Sequence, residues 1–288
     1  KETLLIEGEK SLFDPMPIAP RYKPISIPEN RNYKNENGFF YVQNVYAGTH
    51  MEGVSPGSVK YLRIVESPEK RTWTKEGWKG GGQQAPAVNW HSLENKRILG
   101  EVPVEEDGSA YIEVPSDRFV YFQLLDKDRK MIQSMRSGVT VQSGEVNGCI
   151  GCHEDQNQIP IPKRVVASTI KPHAIALPEG GQRPFTFELE VQPVLDRACI
   201  ACHDGSNKLA DFTGGRIDDF TGFGKSYLNL HPYIHRQGPE AEIEVLNPYE
   251  YHASTSQLIK MLKTGHHGVE LTDKEWKTLY NWIDFNAP

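Results

Sequence analysis

Hydrophobic and polar residues alternate in short runs through the first half of the chain. The runs that predict strands cover residues 39–46, 59–65, 97–102, 110–114, 119–125 and 130–135. Polar turns separate these runs, and Glu106-Asp107-Gly108 is an example between the third and the fourth. Short strands at this spacing are typical of two packed antiparallel sheets. We therefore predict a β-sandwich-like domain of the immunoglobulin type over residues 37–158.

A helical hydrophobic period replaces the alternating one after residue 185. The first helical positions are Val191, Val194, Leu195 and Ala198. Residues 256–264 carry an apolar stripe, and Thr272 and Glu275 fit a capping box that begins a last, aromatic helix. We predict an α-helical domain over residues 185–288, so the fold class is α+β and multidomain.

Two proline-rich segments flank the predicted β-rich domain. The first is an N-terminal arm over residues 1–36, and the second is a linker over residues 159–184. Closely spaced prolines resist helices and central strands, so both segments are expected to be extended. The simpler expectation for the arm is that it lies on its own domain. The alternative is that it reaches a neighbouring subunit and joins copies of the chain into a homo-oligomer or a filament.

The bulk composition narrows the class of protein. Of the 288 residues 38% are hydrophobic and 24% are charged, which is typical of a folded globular chain. The net charge of -6 is spread along the chain, and no basic stripe indicates nucleic-acid binding. No apolar run is long enough to predict a membrane span. The sequence starts at Lys1 instead of a methionine, which favours a chain whose targeting segment has been removed.

The 4 cysteines of the chain fall into two identical patterns. The first is Cys149, Cys152 and His153, and the second is Cys199, Cys202 and His203, both with the spacing Cys-x-x-Cys-His. Cysteines three residues apart can each form a thioether to the same haem, and the histidine that follows then lies under the iron as its proximal ligand. Redox-active cysteine pairs, a zinc site or disulfides would not require a histidine at the same offset twice. The sequence therefore predicts two covalently bound haem c groups.

Two further expectations follow from this prediction. Covalent haem attachment takes place outside the cytoplasmic membrane, so we expect a periplasmic or extracellular protein. A helix that runs into the second motif, together with an aromatic C-terminal helix, is the plan of a class I cytochrome c. We therefore predict that the helical domain is a class I cytochrome c domain.

Each iron needs a ligand opposite its proximal histidine, and the identity of that ligand largely sets the use of the haem. For the second haem we predict a histidine from the loop that follows the predicted helix over residues 256–264. This loop contains His266 and His267, and we choose His266. Met261 lies within the apolar stripe of that helix and is expected to pack in the core. The first haem has more candidate ligands for this position.

For the first haem we predict His91, which follows Trp90 at the end of a glycine-rich stretch over residues 77–86. The position just before a predicted strand would hold a ligand over a haem at the edge of the domain. The alternatives that the sequence leaves open are His50, His173, Met131 and Met135. The predicted iron ligands are thus His153 and His91 for the first haem and His203 and His266 for the second.

The chain resembles the haem-bearing portions of the hydrazine synthase alpha subunit family. The matching stretches are residues 96–110, 134–138, 191–196 and 265–269. The resemblance supports His91, since relatives often carry Trp-His at that position, and it supports His266. The chain shows no propeller blades, and Glu154-Asp155-Gln156-Asn157 stand where the catalytic member has a tyrosine after the motif. The resemblance therefore implies a dihaem electron-transfer module.

Three hypotheses for function follow. The leading one is electron transfer between redox protein partners, with both irons bound by two histidines; it makes the chain an electron carrier more than an enzyme. The second is a redox enzyme in which one open haem acts on a small molecule such as peroxide or a nitrogen species. The third is a subunit of a conductive cytochrome assembly built through the N-terminal arm. Carbon monoxide binding discriminates the first two hypotheses, and the oligomeric state tests the third.

Overall fold

The computed structural model describes residues 19–20, 22–26, 29–68, 96–135, 137–152, 161, 163–237 and 246–288. Residues 31–288 form one compact unit and residues 1–30 form another. The described residues of the smaller unit have no helix or strand, and Tyr22 and Ile25 are fully exposed there. The extended N-terminal arm stays a prediction. The predicted ligands His91 and His153 and the glycine-rich stretch over residues 77–86 lie outside the described residues.

Seven strands build the first half of the larger unit. They are β1 (Asn37–Val42), β2 (Tyr61–Glu66), β3 (Arg97–Pro103), β4 (Ala110–Pro115), β5 (Val120–Leu125), β6 (Met131–Ser134) and β7 (Val146–Cys149). A three-stranded sheet has the order β4-β1-β7, and a four-stranded sheet has the order β3-β2-β5-β6. The pair of β1 and β7 is parallel, whereas the other pairs are antiparallel.

The two sheets share one hydrophobic core. Alternate residues of each strand point into it, because successive side chains of a strand face opposite sides. Phe40 of β1 and Phe122 of β5 meet there edge to face, with ring centroids 5.2 Å apart. Ile64 of β2 and Ile112 of β4 are fully buried in the same cluster. The predicted sandwich-like pairing of sheets is therefore present in the β-rich part.

The second half of the described chain is helical. A single π-helical turn (Phe187–Val191) leads into α1 (Gln192–Ala198), and α2 (Lys225–Leu230), α3 (Gln257–Thr264) and α4 (Asp273–Asp284) follow. Short 3-10 helices lie at Val166–Ser168 and His231–Tyr233. The apolar faces of these helices form a second core around Trp282. None of the described helices is long and apolar enough to cross a membrane.

The structure corrects some sequence-based boundaries. The first strand ends at Val42 and not at residue 46, because the chain bends at Gln43 and turns at Val45 and Tyr46. Strand β7, which contains Cys149, was not predicted, and neither was α2. The mixed α+β class is confirmed, while the predicted boundaries at residues 36, 158 and 184 stay predictions.

The end of α4 packs against the outer face of the four-stranded sheet. Arg63 of β2 is fully buried there, and its guanidinium lies 5.7 Å from the ring centroid of Phe285, the residue that follows α4. Lys96 donates a hydrogen bond from Nζ to the carbonyl oxygen of Phe285 at 2.8 Å. The strands and the helices of the larger unit are thus joined by buried polar contacts as well as by apolar packing.

The predicted capping box at the start of α4 is confirmed, and it supports a testable prediction. The backbone N–H of Glu275 donates to Thr272 Oγ1 at 3.3 Å, and the backbone N–H of Thr272 donates to Glu275 Oε2 at 2.8 Å. We expect Thr272→Ala to lower the free energy of unfolding by about 1 kcal/mol, because it removes the acceptor for an N–H group of the first turn. Chemical denaturation followed by circular dichroism measures this loss. Thr278→Ala, a change inside the same helix, is the control and should cost less.

Candidate functional site

An apolar slot lies between α1, α3 and α4, and the second Cys-x-x-Cys-His motif stands at its wall. The slot has a volume of about 380 Å³. Its walls are mainly apolar and include Val194, Leu195, Phe212, Leu258, Leu262 and Leu279. A cavity of this size with few polar groups is typical of a site for a small organic molecule or cofactor.

The second motif begins where α1 ends. Cys199 is the residue that caps α1, and the chain then turns so that the N–H groups of Cys202 and His203 donate to the Cys199 carbonyl oxygen at 3.1 and 3.0 Å. This turn brings the side chains of Cys199, Cys202 and His203 to the slot. The structure therefore places together the three residues that the motif predicted.

A backbone hydrogen bond fixes the ring of His203. Its Nδ1–H donates to the carbonyl oxygen of Ala210 at 2.9 Å, and its ring stacks on Phe212 with centroids 4.7 Å apart. Nε2 is then the ring nitrogen that remains to bind a metal, since a ligating histidine usually donates its other N–H to a carbonyl or carboxylate. No sequence pattern indicated Ala210, because any residue can supply a backbone carbonyl.

His266 lies across the slot from His203. The two rings are 6.2 Å apart between centroids and are inclined by 30°. Gly265, with a φ of 101°, ends α3, and His267 and Gly268 also have positive φ. These left-handed residues turn the chain sharply, so that His266 faces His203 while His267 lies on its flank. Partial burial and the neighbouring His267 and His203 lower the pKa of His266.

Cys199 of the second motif is a poor candidate for a thiolate ligand. Burial raises the pKa of the Cys199 thiol to about 11, so that the free thiol would stay protonated. None of the four cysteines, all of which the structure describes, forms a disulfide. No group of three or more metal-ligating side chains occurs in the described residues. Thioether attachment of a haem, with an imidazole on each face, fits this donor set and these apolar walls.

The first motif lies at the end of β7 and not in a helix. Cys149 pairs with Val42 in the parallel ladder, and the N–H groups of Gln43 and Asn44 donate to the carbonyls of Cys149 and Ile150 at 2.9 and 3.0 Å. Cys149 and Cys152 pack against the core of the sheets. The motif is therefore held by the rim of the sandwich, whereas the second motif is held by a helix.

Close backbone contacts lock the loop after β1 onto the first motif. A Cβ atom at Gly48 would overlap the Cys152 carbonyl oxygen, and a Cβ atom at Gly151 would overlap the Ala47 carbonyl oxygen. Both positions therefore require glycine for lack of space. No sequence pattern marked Gly48 as part of this site.

These contacts predict the effect of one added methyl group. We expect Gly48→Ala to push the loop away from the motif and to cost about 1–3 kcal/mol of stability, as overpacking does. A lower yield of chains with two haems, measured by mass spectrometry, should accompany the loss. Gly148→Ala is the matched control, because a Cβ atom there meets nothing within 4 Å. Equal haem content and stability in the two variants would contradict this role of Gly48.

The structure separates the alternative ligands of the first haem. His173 pairs with β4 on the side away from β1, so β4 and β1 lie between it and β7, a distance of about 14 Å at normal strand spacing. Its Nε2 is 2.7 Å from Glu105 Oε1. His50 follows Gly48 by two residues and is near the motif, and its Nδ1 is 2.8 Å from Thr49 Oγ1. Met131 is buried in β6, and Met135 packs against the core.

The fold is of the mixed α+β class, and the sequence carries two Cys-x-x-Cys-His motifs. Residues 57–154 match the family model described as the hydrazine synthase alpha subunit middle domain. The hydrazine synthase subunit alpha of Kuenenia stuttgartiensis is 21% identical, and the alignment covers 84% of this chain and 40% of that protein. The chain is thus similar to the hydrazine synthase alpha subunit, and residues 57–154 correspond to its middle domain.

A solved structure shows the same fold. Kuenenia stuttgartiensis hydrazine synthase superposes with a TM-score of 0.61 at 18% identity, over 88% of this chain and 43% of that one. The chain spans less than half the length of these relatives.

Proposed function

We propose that the chain is a dihaem c-type cytochrome that transfers electrons outside the cytoplasm. The observation that carries the proposal is the separation of 6.2 Å between the ring centroids of His203 and His266 beside Cys199 and Cys202. Two imidazoles on one metal should have centroids about 6 Å apart, since each metal–nitrogen bond is about 2.0 Å and each centroid lies about 1.1 Å behind its nitrogen. The two rings therefore have the spacing that a shared iron requires.

The residues of the second site divide into clear roles. Cys199 and Cys202 attach the haem, His203 is the proximal ligand and His266 is the distal ligand. The helix that leads into the motif and α4 share one core, which supports a class I cytochrome c domain over residues 185–288. When bound, the haem supplies one-electron redox chemistry, and two histidine ligands leave no position on the iron for a substrate.

The proposal for the first haem site rests on the sequence motif and on the strand β7 and the loop after β1 that hold it. Cys149 and Cys152 attach the first haem, and His153 is its proximal ligand. His91 stays the predicted distal ligand, with His50 as the alternative that lies near the motif. Because haem c is attached outside the cytoplasmic membrane, we also propose a periplasmic or extracellular location, with redox proteins as partners.

A second candidate function rests on the family match. The matched middle domain over residues 57–154 contains the whole first motif. The named relative is a synthase subunit, so the first haem of this chain is the one to consider for chemistry. The second candidate is therefore a redox enzyme subunit with an open first haem that acts on a small molecule such as peroxide or a nitrogen species.

One spectrum separates the two candidates. The protein is reduced anaerobically with dithionite, and its visible spectrum is recorded before and after carbon monoxide is added. No change is expected for an electron carrier, because carbon monoxide needs a free or weakly held position on iron. A shift of one haem supports the enzyme subunit. A shift of the spectrum of both haems contradicts the two-histidine ligation proposed for the second site. A protein mass that corresponds to fewer than two attached haems contradicts the dihaem proposal.

A further inference from the structure

Helix α1 and the turn of the second motif have two different faces. Val194 and Cys199 point to the haem slot. Gln192, Asp196 and Ile200 line a separate groove of about 700 Å³ on the other side. Residues four apart lie on one side of a helical segment, so these three form a continuous strip. A molecule in the groove would be separated from the slot only by the thickness of this segment.

The groove is apolar and negatively charged. Phe187, Ile200 and Ile217 supply its apolar surface, and Ile217 is 56% exposed. Glu188 and Asp196 are the charged residues among those that line it, and both are exposed carboxylates. Neither of them forms an ion pair with any residue that the structure describes. The groove therefore presents two carboxylates beside a surface that can exclude water.

The carboxylate of Asp196 is held in place. Its Oδ1 accepts a hydrogen bond from Gln192 Nε2 at 2.7 Å. Gln192 is buried. Its Nε2 also donates to the Phe212 carbonyl oxygen at 2.9 Å, and its Oε1 accepts from Ser226 Oγ at 2.6 Å. A charge fixed by such a network costs less to engage than one on a freely rotating side chain.

An exposed hairpin stands at the end of the groove. Ile217 pairs with Gly224 across it, and the Asp218 N–H donates to the Phe223 carbonyl oxygen at 2.9 Å. Phe220 at its tip is 82% exposed. Exposed aromatic residues next to charged groups are typical of protein interfaces. The groove and the hairpin together offer an apolar contact beside a negative one.

We propose that this groove receives a lysine or arginine side chain of a basic electron-transfer protein. The carboxylates of Glu188 and Asp196 attract and orient the cation, and Ile217 and Phe220 contact the apolar surface around it. The proposal rests on the proposed electron-transfer function, because the groove adjoins the motif at Ile200. Opposite charges across such an interface mainly raise the rate of association.

The test compares two small oxidants of opposite charge. The reduced holoprotein and its double variant Glu188→Gln/Asp196→Asn are mixed at low salt with hexaammineruthenium(III) or with ferricyanide. Each complex takes one electron from one reduced haem, so a ruthenium(III) or iron(III) centre is reduced as the haem iron is oxidised. We expect the double variant to react about tenfold more slowly with the cation, from the Coulomb attraction of two carboxylates within about 8 Å of a triply charged ion. Its rate with the anion should stay equal or increase.

The control removes the same charge elsewhere. Glu36→Gln/Glu106→Gln changes two exposed carboxylates of the β-rich part and should leave the rate with the cation within about twofold. If neither oxidant takes electrons from the parent protein, the electron-transfer function is wrong. If both oxidants react, but the groove variant and the control variant behave alike, only the groove proposal is wrong.

A second measurement does not depend on electron transfer. Chromium(III) hexaammine, a paramagnetic cation of the same charge, is added to the reduced protein, and amide resonances are recorded. We expect broadening first at Ile200, Gly214 and Gly215, which line the groove, and its loss in Glu188→Gln/Asp196→Asn. Broadening confined to other surfaces would overturn the proposal, and unchanged circular dichroism of the variant excludes misfolding as the cause.

Discussion

His266→Ala is expected to convert one haem of the protein from unreactive to able to bind carbon monoxide. The side chain of His266 is the only group from its loop whose ring lies opposite His203, at 6.2 Å between centroids, among the residues described. Alanine has no atom that can bind iron, so the position opposite His203 would open. The reduced variant should bind about one equivalent of carbon monoxide more than the parent protein, measured by titration of the visible spectrum.

The neighbouring histidine provides the matched control. His267 lies in the same loop and also lines the slot, with its ring 4.7 Å from that of His266. His267→Ala should leave the spectrum and the carbon monoxide titration unchanged. If His267→Ala opened the haem and His266→Ala did not, the two histidines would have to exchange roles. If neither variant gained carbon monoxide binding, the second haem would have another distal ligand.

The sequence predicted strands best where one face of a strand meets the core. In β4, Ala110, Ile112 and Val114 are buried and alternate with half-buried residues, and this strand was predicted almost to the residue. Strand β7 (Val146–Cys149) was missed, because it is short, lies at a sheet edge and contains a glycine. Its hydrogen bonds to β1 come from long-range pairing, which leaves no local pattern in the sequence.

The sequence likewise predicted some parts of the candidate site and missed others. The two motifs were visible because haem attachment requires fixed side chains at fixed spacing. The loop of His266 was visible because Gly265 marks the end of a helix with a clear apolar stripe. The supporting contacts were not visible. The carbonyl of Ala210 and the close approach of Gly48 to Cys152 depend on backbone positions in three dimensions.

The buried polar junction between the sheet and α4 was also beyond the sequence. Arg63 alternates with the core residues Leu62 and Ile64, so its own strand predicts an exposed position for it. The end of α4 covers that face, and Arg63 is buried instead. Arg63 Nε donates to Glu101 Oε1 at 3.2 Å, and Nη1 donates to Gln123 Oε1 at 3.2 Å. Because the end of α4 covers the outer face of the sheet, the alternating pattern of β2 does not leave Arg63 exposed.

Asp284, the last residue of α4, completes this junction. Its Oδ2 accepts the Met131 N–H at 2.9 Å and its Oδ1 accepts the Ala253 N–H at 3.0 Å. Its own carbonyl oxygen accepts from Gln123 Nε2 at 2.9 Å. One side chain therefore holds a strand, a loop and a helix end together in the interior.

Asp284→Ala should lower the free energy of unfolding by about 3 kcal/mol, because two buried N–H groups lose their acceptors. Denaturant unfolding of the holoprotein at pH 5 measures this loss. Asp219→Ala, at an exposed aspartate, is the control and should change the stability by less than about 0.5 kcal/mol. A loss at Asp284 no larger than that of the control would show that water or other groups replace the carboxylate.

The same carboxyl group predicts a pH dependence that Asp284→Asn should remove. Burial raises the pKa of Asp284 from its ordinary value of 3.8 to about 6, although Arg63 and the two backbone N–H groups oppose the effect. The folded protein therefore holds this proton more tightly than the unfolded chain does. The resulting stability is complete below pH about 4 and is lost as the pH rises through about 6. Asparagine is neutral at every pH and keeps one oxygen acceptor, so the variant lacks this loss.

The free energy of unfolding of the parent protein, minus that of Asp284→Asn, should consequently fall by about 2 kcal/mol between pH 4 and pH 7. Subtracting the two curves cancels the titration of all other groups that both proteins share. A difference that rises over this range would mean that the carboxylate, and not the carboxylic acid, is the form that the folded junction prefers. Arg63 would then be a partner of Asp284 as much as of Glu101, and the junction would hold two carboxylates on one buried guanidinium.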